Sequence, residues 1–202
     1  MDIIIIILIV LAVLVAALIA GYLYFVKVKK KMEKLVIEQQ QSKSTLWNIL
    51  NSQVLELNKE GKYDAAIKVA EDGVRVAKRT FGEKDPRYAG AITNLAALYK
   101  THGNFEEAEK FYLEAKSIFE AKMGKNNPTM ASVLNNLADL YSTQGIFEKA
   151  EPFYDEAVRL LENANDYINL SVVLENMAVM YRNTGREQLA KETERKVKHL
   201  KQ

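Results

Sequence analysis

Apolar and polar residues follow the period of an α-helix along most of this chain, and the pattern itself recurs about every 42 residues. Leu134, Leu137, Ala138 and Tyr141 have the spacing i, i+3, i+4, i+7, which places them on one helix face. Matching stripes occur in the neighbouring blocks at Ile92, Leu95, Ala96, Tyr99, Leu174, Met177, Ala178 and Tyr181. The spacing therefore predicts a series of equivalent amphipathic helices.

A glycine follows each stripe, and a second amphipathic segment follows each glycine. These glycines are Gly61, Gly103, Gly145 and Gly185, at steps of 42, 42 and 40 residues. Because glycine tolerates left-handed backbone geometry, we expect it to end the first helix of each block. The second segments, 105–118 and 147–160, alternate alanines with large aromatic residues, a combination that favours closely packed helices. A fixed period in this range predicts stacked helical pairs that hold a partner along an extended surface.

Glycine and proline mark the junctions between blocks. The segments 81–86 and 123–128 each run from a glycine to a proline, as expected where one helix ends and the next begins. The third junction, 163–166, is two residues shorter and contains neither residue. The repeats are predicted to occupy residues 45–202, with a polar C-terminal capping helix and units at about 45–85, 86–127, 128–164 and 165–202.

The blocks resemble tetratricopeptide repeats of the 42-residue kind found in kinesin light chains. The resemblance rests on the Asn-Leu-Ala-x-Leu-Tyr core, the Gly-x-Phe/Tyr-x-x-Ala turn and the Gly-x-x-x-Pro linker, and it is strongest over residues 86–162. In the first unit Leu57 replaces the tyrosine and Gln53 the leucine, a departure that fits a terminal repeat. The resemblance implies an all-α solenoid, a right-handed superhelix of antiparallel helix pairs whose first helices line a concave groove.

The resemblance also places a row of amides in that groove. Asn94, Asn136 and Asn176 hold equivalent positions, and helix geometry directs Asn136 away from its apolar stripe. An amide can both donate to and accept from the backbone of an extended peptide, so this row is a candidate binding ladder. The other candidate groove residues are Asn135, Lys100, Thr101, Asp139, Thr143, Arg182 and Asn183. The alternative interpretation is that duplication preserved the asparagines without a present use.

An uncharged segment precedes the repeats. The 24 residues Ile3–Val26 would span about 36 Å as a helix, enough to cross a hydrocarbon core of about 30 Å. The segment is too long, and its lysines come too late, for a cleaved signal peptide. Residues 1–26 are therefore predicted to be a single transmembrane anchor that contacts lipid through residues 3–26. The predicted membrane-interface residues are Tyr22, Tyr24, Lys27, Lys29, Lys30 and Lys31.

Charge predicts the orientation of the anchor. The lysines follow the apolar segment and nothing basic precedes it, so the positive-inside rule places the N-terminus outside and the repeats in the cytoplasm. The bacterial inner membrane is the simplest location. Residues 27–44 form a basic juxtamembrane linker without glycine or proline, and the sequence leaves open whether it is a hinge or a continuous helix.

The composition of the repeats argues against several kinds of function. Residues 42–202 carry 23 basic and 23 acidic side chains, which gives no electrostatic basis for nucleic-acid binding. The chain has no cysteine, and its sequence shows no metal-ligand spacing, phosphate-binding glycine loop or nucleophile motif. We therefore expect neither an enzyme nor a resident metal or cofactor.

The sequence predicts a membrane-anchored scaffold that binds a segment of a partner protein in the concave groove on the cytoplasmic side. Two alternatives remain open. One is a structural spacer that self-associates as a homo-oligomer and binds no peptide. The other is an organellar outer-membrane receptor for targeting signals, because an anchor followed by lysines and such repeats also resembles mitochondrial import receptors.

Overall fold

The computed structural model describes the backbone of residues 3–201 and the side chains of residues 21–35, 38, 41–42 and 45–201. Within these residues all helices are α-helices and there is no strand, so the prediction of an all-α repeat fold is confirmed. The helices are α1 (Ile3–Lys59), α2 (Tyr63–Phe81), α3 (Pro86–Thr101), α4 (Phe105–Met123), α5 (Met130–Thr143), α6 (Phe147–Ala164), α7 (Tyr167–Asn183) and α8 (Glu187–Leu200).

The chain divides into two compact units, residues 1–46 and residues 47–202. The described residues of the first unit belong to α1, and the linker region 27–44 is helical. Among the described residues, no helix combines the length and the apolar character needed to cross a membrane. Of the predicted anchor, residues 1–20 lie outside the residues whose side chains the structure describes.

The second unit is a stack of helix pairs. Helices α3 and α4, α5 and α6, and α7 and α8 pack within pairs, while α2 packs on α3, α4 on α5 and α6 on α7. Alanines at the helix contacts, such as Ala108 and Ala150, lie fully buried, and Tyr112 and Tyr154 fill the space beside them. The predicted combination of small residues and large aromatics is therefore the arrangement that forms the core.

A left-handed glycine ends the first helix of each pair. Gly103 has a φ of 83°, and the backbone N–H of Asn104 donates to the carbonyl of Tyr99 at 2.8 Å. The equivalent 2.8 Å bonds join Ile146 to Tyr141 and Arg186 to Tyr181. These bonds satisfy carbonyls that the helix end leaves unpaired, and they confirm the predicted role of the glycines.

Short polar side chains close the junctions between units. A side-chain oxygen accepts a backbone N–H near the start of the first helix in three units, in the pairs Asp85–Arg87 (2.9 Å), Asn127–Thr129 (2.9 Å) and Asp166–Asn169 (3.2 Å). At the third junction Asn165 adopts the left-handed conformation, with a φ of 55°. Asparagine is the residue other than glycine that enters this region most readily, which explains how the junction turns without a glycine.

The cap at Asp85 predicts a pH dependence of stability. A side-chain hydrogen bond from Arg87, assisted by its backbone N–H, lowers the pKa of Asp85 from 3.8 to about 2. Because folding lowers this pKa, the stabilisation is present above the unfolded value and is lost as the pH falls towards about 2. Replacing Asp85 by alanine should lower the free energy of unfolding by about 1 kcal/mol at neutral pH.

Urea unfolding at several pH values measures this effect. The difference between the native chain and Asp85→Ala should shrink between about pH 5 and pH 2. Asp85→Asn is the matched control, because it keeps a neutral cap and should lose less stability at neutral pH than the alanine variant. A difference between native chain and Asp85→Ala that stays constant across this range would contradict the role of the carboxylate.

Candidate functional site

The predicted groove residues lie on α3, α5 and α7, the first helices of three successive pairs. Helix α5 contacts both α3 and α7, so equivalent positions about 40 residues apart in sequence become neighbours. Asn94 is exposed on α3, whereas Asn136 on α5 and Asn176 on α7 are half-buried. The next residue along each helix enters the core, as Leu137 does after Asn136. The polar row therefore lines the wall of the stack that faces away from each partner helix.

Two amides of this wall are bonded to each other. The Asn176 Nδ2 group donates to the Asn135 Oδ1 atom at 3.0 Å, linking α7 to α5. Each amide carries one carbonyl oxygen and one amino group, and this bond uses the amino group of Asn176 and the carbonyl oxygen of Asn135. Among the described contacts, the Asn176 carbonyl and the Asn135 amino group make no hydrogen bond, so both remain able to form one.

Ion pairs neutralise the charged members of the wall. Lys100 on α3 pairs with Asp139 on α5, and both side chains are partly buried. Arg182 on α7 pairs with Glu194 on α8. A third pair joins Glu175 to Lys201, with 2.6 Å between nitrogen and oxygen. The wall consequently offers balanced charges rather than a cationic patch.

The remaining predicted residues lie near the C-terminal ends of the wall helices. The hydroxyls of Thr101 and Thr143 donate to carbonyls one turn back in their own helices, at 2.9 Å to Ala97 and 2.8 Å to Asp139. Asn183 is exposed at the end of α7. The structure thus brings Asn135, Asn136 and Asn176 together, whereas the threonine hydroxyls are already bonded within their helices.

A cleft of about 390 Å³ lies between the first turns of α5 and α7. Two predicted residues, Asn135 and Asn136, line it together with Ser132, Asn169 and Val172. Ser132, Asn169 and Val172 were not predicted, although α5 and α7 were identified as wall helices. The cleft therefore combines amide groups with an apolar side chain in one concave place, which is the usual composition of a binding site.

An apolar strip on α7 is the feature of the wall that the sequence analysis missed. Val172 and Val179 remain about half exposed, at 48% and 51%. The equivalent positions in the preceding unit carry Ser132 and Asp139. The sequence signal for this strip was valine at wall positions where the preceding unit has polar residues. The α7 end of the wall can therefore contact apolar side chains of a ligand.

Repeated hydrogen bonds hold the wall helices on the preceding pairs. The tyrosine hydroxyl donates to a glutamate of the previous second helix in the pairs Tyr99–Glu71 (2.9 Å), Tyr141–Glu109 (2.5 Å) and Tyr181–Glu151 (3.1 Å). Burial, together with the glutamate bond, raises the pKa of each of these tyrosines to about 12. The phenols are therefore neutral donors at ordinary pH and keep the wall helices in register.

Carboxylates and the histidines His102 and His199 are the described side chains that could most readily bind a metal ion or transfer a proton. Within the described part of the chain, no group of three or more His, Cys, Asp or Glu side chains is placed to hold a metal ion. His102 lies beside Asp64, with 3.3 Å between nitrogen and oxygen, and its ring is near that of Tyr63. These neighbours belong to an exposed turn region, not to an enclosed pocket.

The predicted membrane-interface residues lie on α1. The side chains of Tyr22 and Tyr24 are 67% and 72% exposed. The following lysines, Lys27, Lys29, Lys30 and Lys31, are exposed as well. The described end of the apolar segment thus carries exposed aromatic groups followed directly by exposed positive charges.

Comparisons with known proteins agree with the fold. The family model described as "Tetratricopeptide repeat" matches residues 55–121 and 129–197. The crystal structure of BtubC (BKLC) from P. vanneervenii is similar, with a TM-score of 0.68, 25% identity and coverage of 77% of this chain and 63% of that one. This chain thus spans less than two thirds of BtubC. No curated protein matches this sequence at a significant level.

A second solved structure shares the fold at lower identity. It contains the nearly identical TPR-like repeats of a kinesin-light-chain-like protein from Podosopora anserina, with a TM-score of 0.61, 17% identity and coverage of 77% of this chain and 74% of that one. A variant of those repeats gives a TM-score of 0.61 with 19% identity, covering 75% of this chain and 74% of the other.

Proposed function

Because this chain belongs to the tetratricopeptide repeat family, we propose that it is a membrane-anchored scaffold that binds a segment of a partner protein. The binding surface is the wall formed by α3, α5 and α7, referred to below as the groove. The observation that carries this proposal is the row of Asn94, Asn136 and Asn176, which runs beside a cleft between α5 and α7. An extended segment offers regularly spaced N–H and C=O groups, and each amide can pair with one of each.

The charges of the groove indicate what kind of segment it binds. The pairing of Lys100 with Asp139 and of Arg182 with Glu194 leaves little positive potential for an acidic tail. Val172 and Val179 instead offer apolar contact at the α7 end. The groove therefore suits an extended segment of low net charge that places small apolar side chains against α7.

The proposed anchor determines where the encounter takes place. The uncharged segment 3–26 would hold the chain in a bilayer, and the lysines after it would keep the repeats on the cytoplasmic side. We place the protein in the bacterial inner membrane. Tethering raises the effective concentration of the groove for any other protein attached to the same membrane. A weak groove contact can therefore suffice for association.

Replacing the three asparagines together tests the groove. The full-length variant Asn94→Ala, Asn136→Ala, Asn176→Ala should recover its specific partners from native membranes at least about tenfold less well, since each lost hydrogen bond costs about 1 kcal/mol. Quantitative mass spectrometry of affinity-captured material measures this loss. Circular dichroism should show an unchanged fold, because none of the three side chains is fully buried.

A matched control places three substitutions on the second helices. The variant Ser117→Ala, Asn163→Ala, Gln188→Ala removes three exposed polar groups from α4, α6 and α8 and should recover partners like the native chain. Equal recovery by all three proteins would contradict groove binding. Recovery of nothing but copies of the chain itself would favour the self-associating spacer.

A further inference from the structure

An exposed apolar stripe runs along α1 within the first unit. Phe25, Val28, Met32 and Leu35 follow one another at steps of three, four and three residues, and Leu46 continues the same register. The exposed fractions of these five side chains are 64%, 40%, 56%, 50% and 46%. The stripe is referred to below as the α1 seam. Beyond the proposed anchor, the part of this row from Val28 to Leu46 would lie in water, where large apolar groups need a covering surface.

The spacing of the α1 seam indicates what covers it. Apolar residues at alternating steps of three and four have a period of 3.5 residues, which is the repeat of a coiled coil. A helix of ordinary globular packing instead shows a broader stripe with a period of 3.6 residues. The opposite face of the same stretch carries Lys27, Lys30 and Lys34, which are all exposed. One helix with the same narrow stripe therefore fits this seam.

Charges beside the seam favour a second copy in parallel orientation. With Phe25 and Met32 at heptad position a, a parallel pair brings each residue that precedes position a beside the residue five positions further along the partner, which follows position d. Tyr24 then faces Lys29 of the copy, which places a cation beside an aromatic ring. Neither Lys29 nor Lys31 faces another lysine in this arrangement. A parallel pair also follows from two copies that are anchored in one membrane by the same N-terminal segment.

We infer that residues 25–46 form a parallel two-stranded coiled coil with a second copy of this chain. The paired stretch would be about 33 Å long. Two polar residues, Gln39 and the exposed Ser42, occupy the seam positions between Leu35 and Leu46 and weaken the pair near its C-terminal end. Because so short a helix pair is marginal in free solution, anchoring would supply the effective concentration that the pair needs. This inference is independent of the groove.

Cysteine cross-linking in native membranes tests the pair. The chain has no cysteine of its own, so each variant carries a single reactive thiol. Val28→Cys and Leu35→Cys place that thiol on the seam, and Lys30→Cys places it on the opposite face. Since a disulfide requires closely spaced Cβ atoms, the seam variants should form covalent dimers at least about tenfold more efficiently than Lys30→Cys.

A further substitution tests whether the cross-linking depends on apolar contact along the α1 seam. Adding Met32→Asp to Leu35→Cys should abolish the dimer, because it puts two like charges opposite each other at a seam position. The circular dichroism spectrum should stay unchanged, since Met32 is 56% exposed. Equal cross-linking on both faces, or none on either, would overturn the inference. Seam thiols that form no dimer and are shielded from a water-soluble maleimide would show instead that lipid covers the stripe.

Discussion

Removing residues 1–26 should move this protein from the membrane fraction to the soluble fraction. The deleted segment contains the uncharged run Ile3–Val26. Transfer of its Leu, Ile, Val and Phe residues into a bilayer is favourable by about 0.3–0.6 kcal/mol each, on the order of 5–10 kcal/mol in total. Fractionation after alkaline carbonate extraction measures the change. The full-length chain should stay in the pellet, and the shortened chain should appear in the supernatant.

A double substitution tests whether the apolar character of segment 3–26, and not merely its presence, holds the protein in the membrane. Val13→Lys with Leu14→Lys adds two charges at the centre of the segment, each costing about 2.5–3.5 kcal/mol, and should release much of the protein. The matched control, Val13→Leu with Leu14→Val, keeps the composition and should remain in the pellet. Extraction of the full-length chain by carbonate would contradict the proposed anchor, as would a shortened chain that stays in the pellet.

Truncating Leu137 should destabilise the repeats more than any change on the groove wall. Its side chain is fully buried in the core around α5. Replacement of such a leucine by alanine costs about 2–5 kcal/mol, because it removes apolar contacts and leaves a cavity. For an array of this size the melting temperature should fall by roughly 5–20 °C.

Thermal unfolding followed by circular dichroism measures this effect. Val179→Ala is the control, because that side chain is 51% exposed and its truncation should cost no more than about 0.5 kcal/mol. Similar melting temperatures for Leu137→Ala and Val179→Ala would show that the assignment of core and wall positions on the first helices is wrong.

The helical stack was predictable from the sequence because its determinants are local. The i, i+3, i+4, i+7 stripes and the turn glycines each act within one or two helical turns, and both are confirmed by the structure. The third junction shows where this reasoning was incomplete. It lacked the glycine and proline of the others, yet Asn165 takes the left-handed position and Asp166 supplies the cap. Both residue types were visible in the sequence and were not recognised in these roles.

The sequence was sufficient to predict which residues line the candidate groove, but not which of their side chains bond to one another. Helical periodicity was sufficient to assign Asn94, Asn136 and Asn176 to one side of their helices. The Asn176–Asn135 bond and the Lys100–Asp139 pair depend on how successive pairs stack. That stacking joins residues 41 and 39 positions apart, and no local pattern encodes it. The pairing of wall side chains across successive helices therefore emerged only from the packed structure.

Site-specific photocross-linking tests groove binding most directly. A photoreactive amino acid replaces Asn136 in the groove of the full-length chain, and in a control it replaces the exposed Leu113 on α4. Irradiation of native membranes, followed by mass spectrometry, identifies what touches each position. We expect the Asn136 probe to label a defined protein segment of low net charge and the Leu113 probe to miss it. Labelling of the same proteins from both positions, or of no protein from the groove, would contradict the proposed function.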